Sequence, residues 1–138
     1  MNIDSIINGI VIDHITAGKG MQIYQLLELD QMDCPVALIR NAYSKKMGRK
    51  DIIKIDADIT LNMDILGYVD PCATLSIIKD GKVANKQKPR LPQRLAGVIF
   101  CKNPRCITTT EQELPHVFTL TDEESRTYRC LYCETKAE

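Results

Sequence analysis

The chain has 138 residues, 44% hydrophobic and 26% charged, with a formal net charge of zero. That length fits one ordinary domain or two small ones, and no apolar stretch approaches the roughly 20 residues that cross a bilayer. Up to Pro92 there are 12 basic and 11 acidic residues, and beyond it 6 and 7, so neither part has the basic excess of a nucleic-acid binder. We expect no membrane and no nucleic-acid partner.

Up to Pro92 the sequence alternates between strand-like and helix-like patterns. Runs rich in β-branched residues predict five strands, and apolar residues at helical spacing or behind a capping residue predict two helices. The predicted strands cover residues 9–15, 34–43, 50–55, 73–79 and 82–86, and the predicted helices cover residues 21–29 and 62–68. This order, β-α-β-β-α-β with one further strand, predicts an α+β fold whose ferredoxin-like antiparallel sheet carries both helices on one face.

Prolines at positions 89 and 92 end this pattern, because they cannot join a central strand or helix. We therefore divide the chain into a first domain at residues 1–92 and a second at 93–138. The second domain is predicted to be rich in β-structure, with a strand from Ala96 to Phe100, a hairpin around residues 116–120 and a closing strand from Thr127 to Cys130. It is too short to bury a self-sufficient core.

Two close pairs of cysteines explain how so short a domain can fold. Cys101 and Cys106 are separated by four residues, and Cys130 and Cys133 by two. Two tight turns of this kind bring four thiolates to the corners of a tetrahedron, and Zn²⁺ prefers both that geometry and those soft ligands. We therefore predict one structural zinc ion, whose four sulfur ligands leave no open position for catalysis.

Three alternatives use the same cysteines. Disulfides need an oxidising compartment, whereas the sequence from Met1 shows neither the basic start nor the apolar run of a signal peptide. A redox Cys-x-x-Cys motif usually opens a helix after a strand, whereas Cys130 and Cys133 lie close to the end of the sequence. A zinc-ribbon nucleic-acid-binding protein is the third alternative, and the acidic balance beyond Pro92 argues against it. We favour structural zinc and a reducing, cytoplasmic location.

Two short polar segments near the start are candidates for ligand binding. Asp13 and His14 end the first predicted strand, where a polar pair can face a ligand or remain an ordinary surface pair. The turn at residues 18–20, Gly-Lys-Gly, precedes a helix and can seat a phosphate on backbone N–H groups, but it lacks the spacing of a P-loop, so a plain turn is favoured. With His116 as the second of two histidines and no nucleophile motif, no acid–base constellation can be assembled, and we expect no catalytic activity.

Two groups of lysines crowd two predicted hairpins. On a strand, residues two and four apart share a face, so Lys50 and Lys54 are predicted to point the same way, as are Lys82, Lys86 and Lys88. Two such strands in one sheet can converge on a polyphosphate, or they can simply present a solvated face. The spacing leaves both interpretations open.

The chain resembles the regulatory chains of aspartate carbamoyltransferase over essentially its whole length. The resemblance is carried by GIVIDHI at residues 9–15, KMGRKDIIKI at 46–55, LPQRLAGVIFCKNPRCIT at 91–108 and YRCLYCE at 128–134. It implies a non-catalytic subunit in pyrimidine biosynthesis, with an allosteric domain followed by a zinc domain. It further implies CTP as feedback inhibitor, ATP as activator, in some members UTP beside CTP, a homodimer formed through the N-terminal domain, and catalytic trimers bridged through the zinc domains.

Carried over by position, the resemblance also implies site residues. Asp13, His14, Lys54 and Lys86 look like ribose and triphosphate contacts, Lys50 is a candidate for a second-nucleotide or metal site, and Ile6 and Val83 fall where backbone groups read the base. The implied contacts with the catalytic chain are Asn103, Arg105 and Glu134. At Ser76 and Gly81 the chain departs from the family, which often has Asn and Tyr there, and this departure bears on how CTP and ATP are distinguished.

Overall fold

The structure is a computed structural model that describes residues 6–137. The chain forms two compact units, Met1–Arg90 and Leu91–Glu138. Among the described residues the longest α-helices have seven residues each, too few to span a membrane.

The first unit contains five strands and two α-helices in the predicted order. The strands are β1 (Gly9–Thr16), β2 (Val36–Ser44), β3 (Gly48–Ile55), β4 (Thr74–Lys79) and β5 (Lys82–Gln87). The helices are α1 (Gly20–Leu26) and α2 (Met63–Val69), with a short 3₁₀ helix at Leu29–Gln31. The strands form one antiparallel sheet in the order β2-β3-β1-β4-β5. This is the ferredoxin-like arrangement with β5 added at one edge, so the predicted fold class is confirmed.

The two faces of this sheet have different roles. One face packs against the helices and forms the main core, which includes Ile10, Ile53 and Leu75 from the sheet and Ile23 and Leu66 from the helices. Because side chains alternate along a strand, the intervening residues lie on the opposite face, which we call the open face. From the strand registers, the open face carries Val11, Asp13, Lys50, Ile52, Lys54, Thr74, Ser76, Ile78, Val83 and Lys86.

Asp51 on β3 points to the helix-covered side and is fully buried. Its carboxylate accepts the backbone N–H groups of Gly18 at 3.1 Å, Gly20 at 2.9 Å and Asn41 at 2.8 Å. A Cβ atom at Gly20 would lie 2.8 Å from this carboxylate, so the close approach requires glycine. Asp51 thereby ties the start of α1 and a bulge in β2 to the centre of the sheet.

The second unit is a three-stranded antiparallel sheet with the cysteine turns attached. Its strands are β6 (Arg94–Ala96), β7 (Val117–Asp122) and β8 (Thr127–Cys130), in that spatial order, and a short helix α3 (Ile107–Thr110) follows Cys106. The predicted strand from Ala96 to Phe100 is wrong, because β6 already ends at Ala96. Gly97 then adopts a left-handed conformation with φ of 71° and turns the chain away.

Candidate functional site

The four predicted metal ligands converge in the second unit. Their Sγ atoms all lie within 4.8 Å of one another. Cys101 and Cys133 are 3.5 Å apart at sulfur, and Cys106 and Cys130 are 3.7 Å apart. Sulfur atoms bound tetrahedrally at about 2.3 Å from zinc are about 3.8 Å from each other, whereas a disulfide needs about 2.05 Å. The spacing therefore fits a tetrahedral metal site made of four unbridged thiolates.

Two threonine hydroxyls support the sulfur ligands, and neither was among the predicted site residues. The hydroxyl of buried Thr108 lies 3.0 Å from Sγ of Cys106, and that of Thr135 lies 3.1 Å from Sγ of Cys133. Each follows its cysteine by two residues, which is the sequence pattern that would have revealed them. Such hydroxyls can donate to a metal-bound thiolate and orient it.

The burial of the thiols favours a bound cation. Burial raises the pKa of Cys101 to about 12 and also raises the pKa of Cys130, because a thiolate without a counter-charge is poorly solvated there. The hydrogen bond with the Thr135 hydroxyl lowers the pKa of Cys133 to about 6. A divalent metal ion held by Cys101, Cys106, Cys130 and Cys133 would supply the missing positive charge and favour loss of the thiol protons. The donor set thus fits a soft divalent metal.

On the open face of the first unit, four residues from four neighbouring strands stand in one row. Lys54 of β3 is paired with Val11 of β1, Val11 with Ser76 of β4, and Ser76 with Lys86 of β5. Lys54 and Ser76 are buried, whereas Lys86 is exposed. Three strand spacings of about 4.8 Å place the two lysines about 14 Å apart at Cα. The two lysines therefore stand at separate points of the open face.

The lysines of β5 do not all lie on one face of the sheet, although the two-residue repeat of a strand predicted that they would. The register shifts between Ile77 and Ile78 of β4, so that Val83 opposes Ile78 while Lys82 opposes Lys79. Lys82 consequently lies on the helix-covered side of the sheet, opposite to Lys86. The prediction that Lys82 and Lys86 point the same way is wrong, because a β-bulge reverses the alternation.

Asp13 and Lys50 form an ion pair on the open face, with 2.9 Å between Nζ and Oδ1. Burial alone would raise the pKa of Asp13, but the hydrogen bond and charge of Lys50, together with the backbone N–H of His14, outweigh it and lower the pKa. The carboxylate is therefore ionised at neutral pH. Lys50 and Lys54 lie on the same face, as the strand period predicted.

A bulge in β1 turns His14 toward the same side as Asp13. Between Ile12 and Ile15 two residues of β1 oppose one residue of β3, and His14 has φ of 57°. Its Nδ1 lies 2.9 Å from the hydroxyl of Thr74, which faces Asp13 on β4. Thr74 is a polar group of this site that sequence reasoning missed, because only the strand register brings it there.

Ile6 and Val83, implied as base-reading positions, both lie beside Ile78 on the open face. Ile6 is buried beside Val11 and Ile78, and together with Lys54 and Asp56 it lines a cavity of about 240 Å³. Val83 is half exposed on β5. The structure thus brings Ile6 and Lys54 into one cavity, and it places Val83 on the edge strand β5 next to Ile78, which packs against Ile6.

The turn at residues 18–20 does not offer its backbone to a phosphate. The N–H groups of Gly18 and Gly20 both donate to the carboxylate of Asp51. The preferred interpretation of this segment as a plain turn agrees with this arrangement.

The three implied partner contacts lie around the cysteine turns. Asn103 accepts the backbone N–H of Arg105 at 3.0 Å and donates to the hydroxyl of Thr135 at 3.3 Å, so it also braces the first turn. Arg105 and Glu134 are exposed. Phe100, Ile107, Leu131 and Tyr132, four large hydrophobic residues of this unit, are exposed as well.

Comparison with known proteins gives matches along almost the whole chain. Residues 1–90 match the family model described as aspartate carbamoyltransferase regulatory chain, allosteric domain, and residues 93–138 match that of the metal binding domain of the same chain. A regulatory chain of aspartate carbamoyltransferase from Clostridium botulinum is 48% identical over 97% of this chain and 92% of its own length. Those of Clostridium tetani and Bifidobacterium longum are 47% and 44% identical, over 97% and 100% of this chain and 94% and 99% of their own lengths.

Proposed function

Because the chain belongs to the family of aspartate carbamoyltransferase regulatory chains, which are non-catalytic subunits, we propose that it binds CTP as inhibitor and ATP as activator on the open face of its first unit. Its partner is the catalytic chain of that enzyme. In this proposal residues 1–92 form the nucleotide-binding domain and residues 93–138 the zinc domain, and the complex works in the cytoplasm.

The row formed by Lys54, Val11, Ser76 and Lys86 across the open face is the observation that supports a nucleotide site. Buried Lys54 stands beside the cavity lined by Ile6, and exposed Lys86 stands three strands away. An extended nucleoside triphosphate places its base and its phosphates at such separate positions. We therefore assign Lys54 and Ile6 to the base and ribose end and Lys86 to the phosphates, where an ammonium group and a phosphate form a strong charge-assisted hydrogen bond.

Asp13, His14 and Lys50 occupy the middle of the proposed site. The Asp13 carboxylate accepts from Lys50 and can accept from a ribose hydroxyl. Lys50 is the candidate contact for a second ligand: the phosphates of UTP would have to compete with Asp13 for its ammonium group, whereas a metal ion would compete with Lys50 for the Asp13 carboxylate. Val83 remains the second base-reading position, on β5 beside Ile78, while Ser76 lies between the two ends and offers a hydroxyl where the family often has an amide.

Calorimetric titration of the metal-loaded full chain with CTP and with ATP tests this assignment. We expect saturable binding of both nucleotides and a loss of about 10-fold or more in affinity for Lys86→Ala, because a charge-assisted hydrogen bond is removed. Lys82→Ala is the matched control, since it removes a lysine from the opposite side of the same strand. Equal affinity of Lys86→Ala and the wild type, equal losses in the two variants, or no binding by the folded chain would contradict the proposal.

We propose one zinc ion in the second unit, where it holds the surface that binds the catalytic chain. Arg105 and Glu134 project from the two cysteine turns, and Asn103 braces the first of them. The four exposed hydrophobic residues named above give this unit an apolar surface of the kind that marks protein–protein contacts. Through it, regulatory dimers would bridge catalytic trimers.

Homodimerisation is proposed through the edge strand β2 of the first unit. An edge strand leaves backbone groups free to pair with another strand, and Tyr43 on β2 is 70% exposed. The other edge, β5, carries lysines, which disfavour strand pairing. Sedimentation equilibrium should show a weaker dimer for Tyr43→Glu than for the control Asn85→Glu on β5; equal dimerisation of both variants would contradict this interface.

Regulation and assembly are tested with the catalytic trimer. Sedimentation should show a bridged complex with zinc-loaded chain and free trimers after chelation, and Arg105→Ala should weaken the complex. In the complex, CTP should raise and ATP should lower the substrate concentration for half-maximal rate, because opposite effects require opposite preferences for the two states of the assembly. An unchanged half-saturation with both nucleotides would contradict the regulatory role.

A further inference from the structure

His116 has no role in the sites described so far, yet it contacts one of the metal ligands. Its Nδ1 accepts the backbone N–H of Cys101 at 2.9 Å. Its ring also packs edge-on against Phe100, with 5.0 Å between centroids and 72° between planes. The side chain therefore fixes the backbone at the start of the first cysteine turn by two different contacts.

The residues that follow His116 hold the second cysteine pair. The carbonyl of Val117 accepts the N–H of Leu131 at 2.8 Å, and Phe118 is paired with Cys130 across the sheet. One short stretch of chain, residues 116–118, thus contacts the first cysteine turn through a side chain and the second through its backbone. Its position sets how the two pairs face each other.

The hydrogen bond at Nδ1 defines the form of the ring. A nitrogen that accepts a hydrogen bond carries no proton, so Nδ1 is the unprotonated nitrogen of the ring. Cys101 is only 6% exposed, and loss of the acceptor would leave its buried N–H group unsatisfied.

We propose that His116 is a positioning residue of the metal centre, whose Nδ1 holds Cys101 in the orientation required for tetrahedral binding. The inference rests on the proposed metal site. Residues outside the ligand set that orient ligands typically change metal affinity by about 10-fold to 100-fold when substituted. We expect loss of the Nδ1 acceptor to lower metal affinity by that amount, and loss of the ring alone to lower it little.

Two substitutions separate the acceptor from the ring. His116→Asn places an amide oxygen where Nδ1 stands and loses the ring, whereas His116→Phe keeps a ring against Phe100 and loses the acceptor. Thr121→Ala is the control, because the hydrogen bond that it removes, from an exposed hydroxyl to the carbonyl of Thr127, does not involve a cysteine. Zn²⁺ affinity of the full chains is measured by competition with a chelator, and the geometry of the site by the visible spectrum of the Co²⁺-loaded chains.

The expected result is Zn²⁺ affinity and a Co²⁺ spectrum close to wild type for His116→Asn and Thr121→Ala, and at least about 10-fold weaker binding with an altered spectrum for His116→Phe. Wild-type affinity of His116→Phe, or equal losses in both His116 variants, would overturn the proposal. Should the Phe variant fail to fold, the ring nitrogens of the wild-type protein decide: an unprotonated Nδ1 in the ¹⁵N spectrum supports the proposal, and a protonated one refutes it. If the wild type binds neither ion, the metal site itself is wrong.

Discussion

The two units of this chain reach a folded state by different means. The first buries a contiguous layer of isoleucine, leucine and valine between a sheet and two helices. In the second, three of the seven buried hydrophobic residues that the structure describes are the cysteines Cys101, Cys106 and Cys130. A core of hydrocarbon is present with or without a ligand, whereas a core of thiols is completed by a metal ion. We therefore expect the first unit to fold without a ligand and the second to depend on its metal.

Removal of the metal should give the largest effect and should be confined to one unit. Chelation, or Cys106→Ser, is expected to unfold the second unit, because metal binding to such sites contributes roughly 10 kcal/mol or more to folding. Amide NMR spectra should show collapse of signals from residues 93–137 while those of the first unit persist. Cys72→Ser, at an exposed cysteine, is the control and should leave the spectrum intact. Persistence of the folded second unit without metal would contradict its predicted dependence on the metal.

In the first unit, loss of the buried Asp51 carboxylate should have a correspondingly large effect on stability. Asp51→Ala leaves the N–H groups of Gly18, Gly20 and Asn41 without their acceptor, and we expect it to lower the free energy of unfolding by about 3–5 kcal/mol. Urea denaturation followed in the first unit measures this. Exposed Asp58→Ala should change stability by less than about 0.5 kcal/mol, and Zn²⁺ affinity should be unchanged in both variants.

The Asp13–Lys50 pair should give a smaller effect that depends on pH. The pKa of Asp13 lies below its ordinary value of 3.8, so the pair contributes stability above that value and loses it as the pH falls through the lowered pKa. Lys50→Ala should raise the pKa of Asp13 and remove this contribution, which is below about 1 kcal/mol for a partly exposed pair. A ¹³C titration of the carboxylate reports the shift, and an unchanged pKa in the variant would show that Lys50 does not hold it.

Local patterns predicted the elements of the first unit well because each strand and helix has its own periodicity. The hairpin at Asp80-Gly81 has the two left-handed residues that a tight two-residue turn requires, with φ of 53° and 76°. The four ligands at Cys101, Cys106, Cys130 and Cys133 followed from spacing alone, because two short turns suffice to bring each pair together. Both kinds of prediction use residues close together in the sequence.

The features that the sequence did not reveal depend on the register between strands that are far apart in the sequence. The pairing of Asp13 with Lys50 and the contact between His14 and Thr74 arise only when β1, β3 and β4 are aligned. A bulge at Ala84 placed Lys82 away from Lys86, and no local pattern marks such an irregularity. In the second unit the helix α3 was not predicted, because its four residues are too few to show helical periodicity. It forms where the cysteine turn ends.

If CTP and ATP bind as proposed, they occupy the open face of the first unit and leave the second unit free. Titration of the full, metal-loaded chain with CTP and ATP, followed residue by residue in amide NMR spectra, tests it most directly. We expect saturable shifts centred on Val11, Lys54, Ser76 and Lys86. Shifts centred on the cysteine turns or on the helix-covered face, around Ile53 and Ile55, would contradict it.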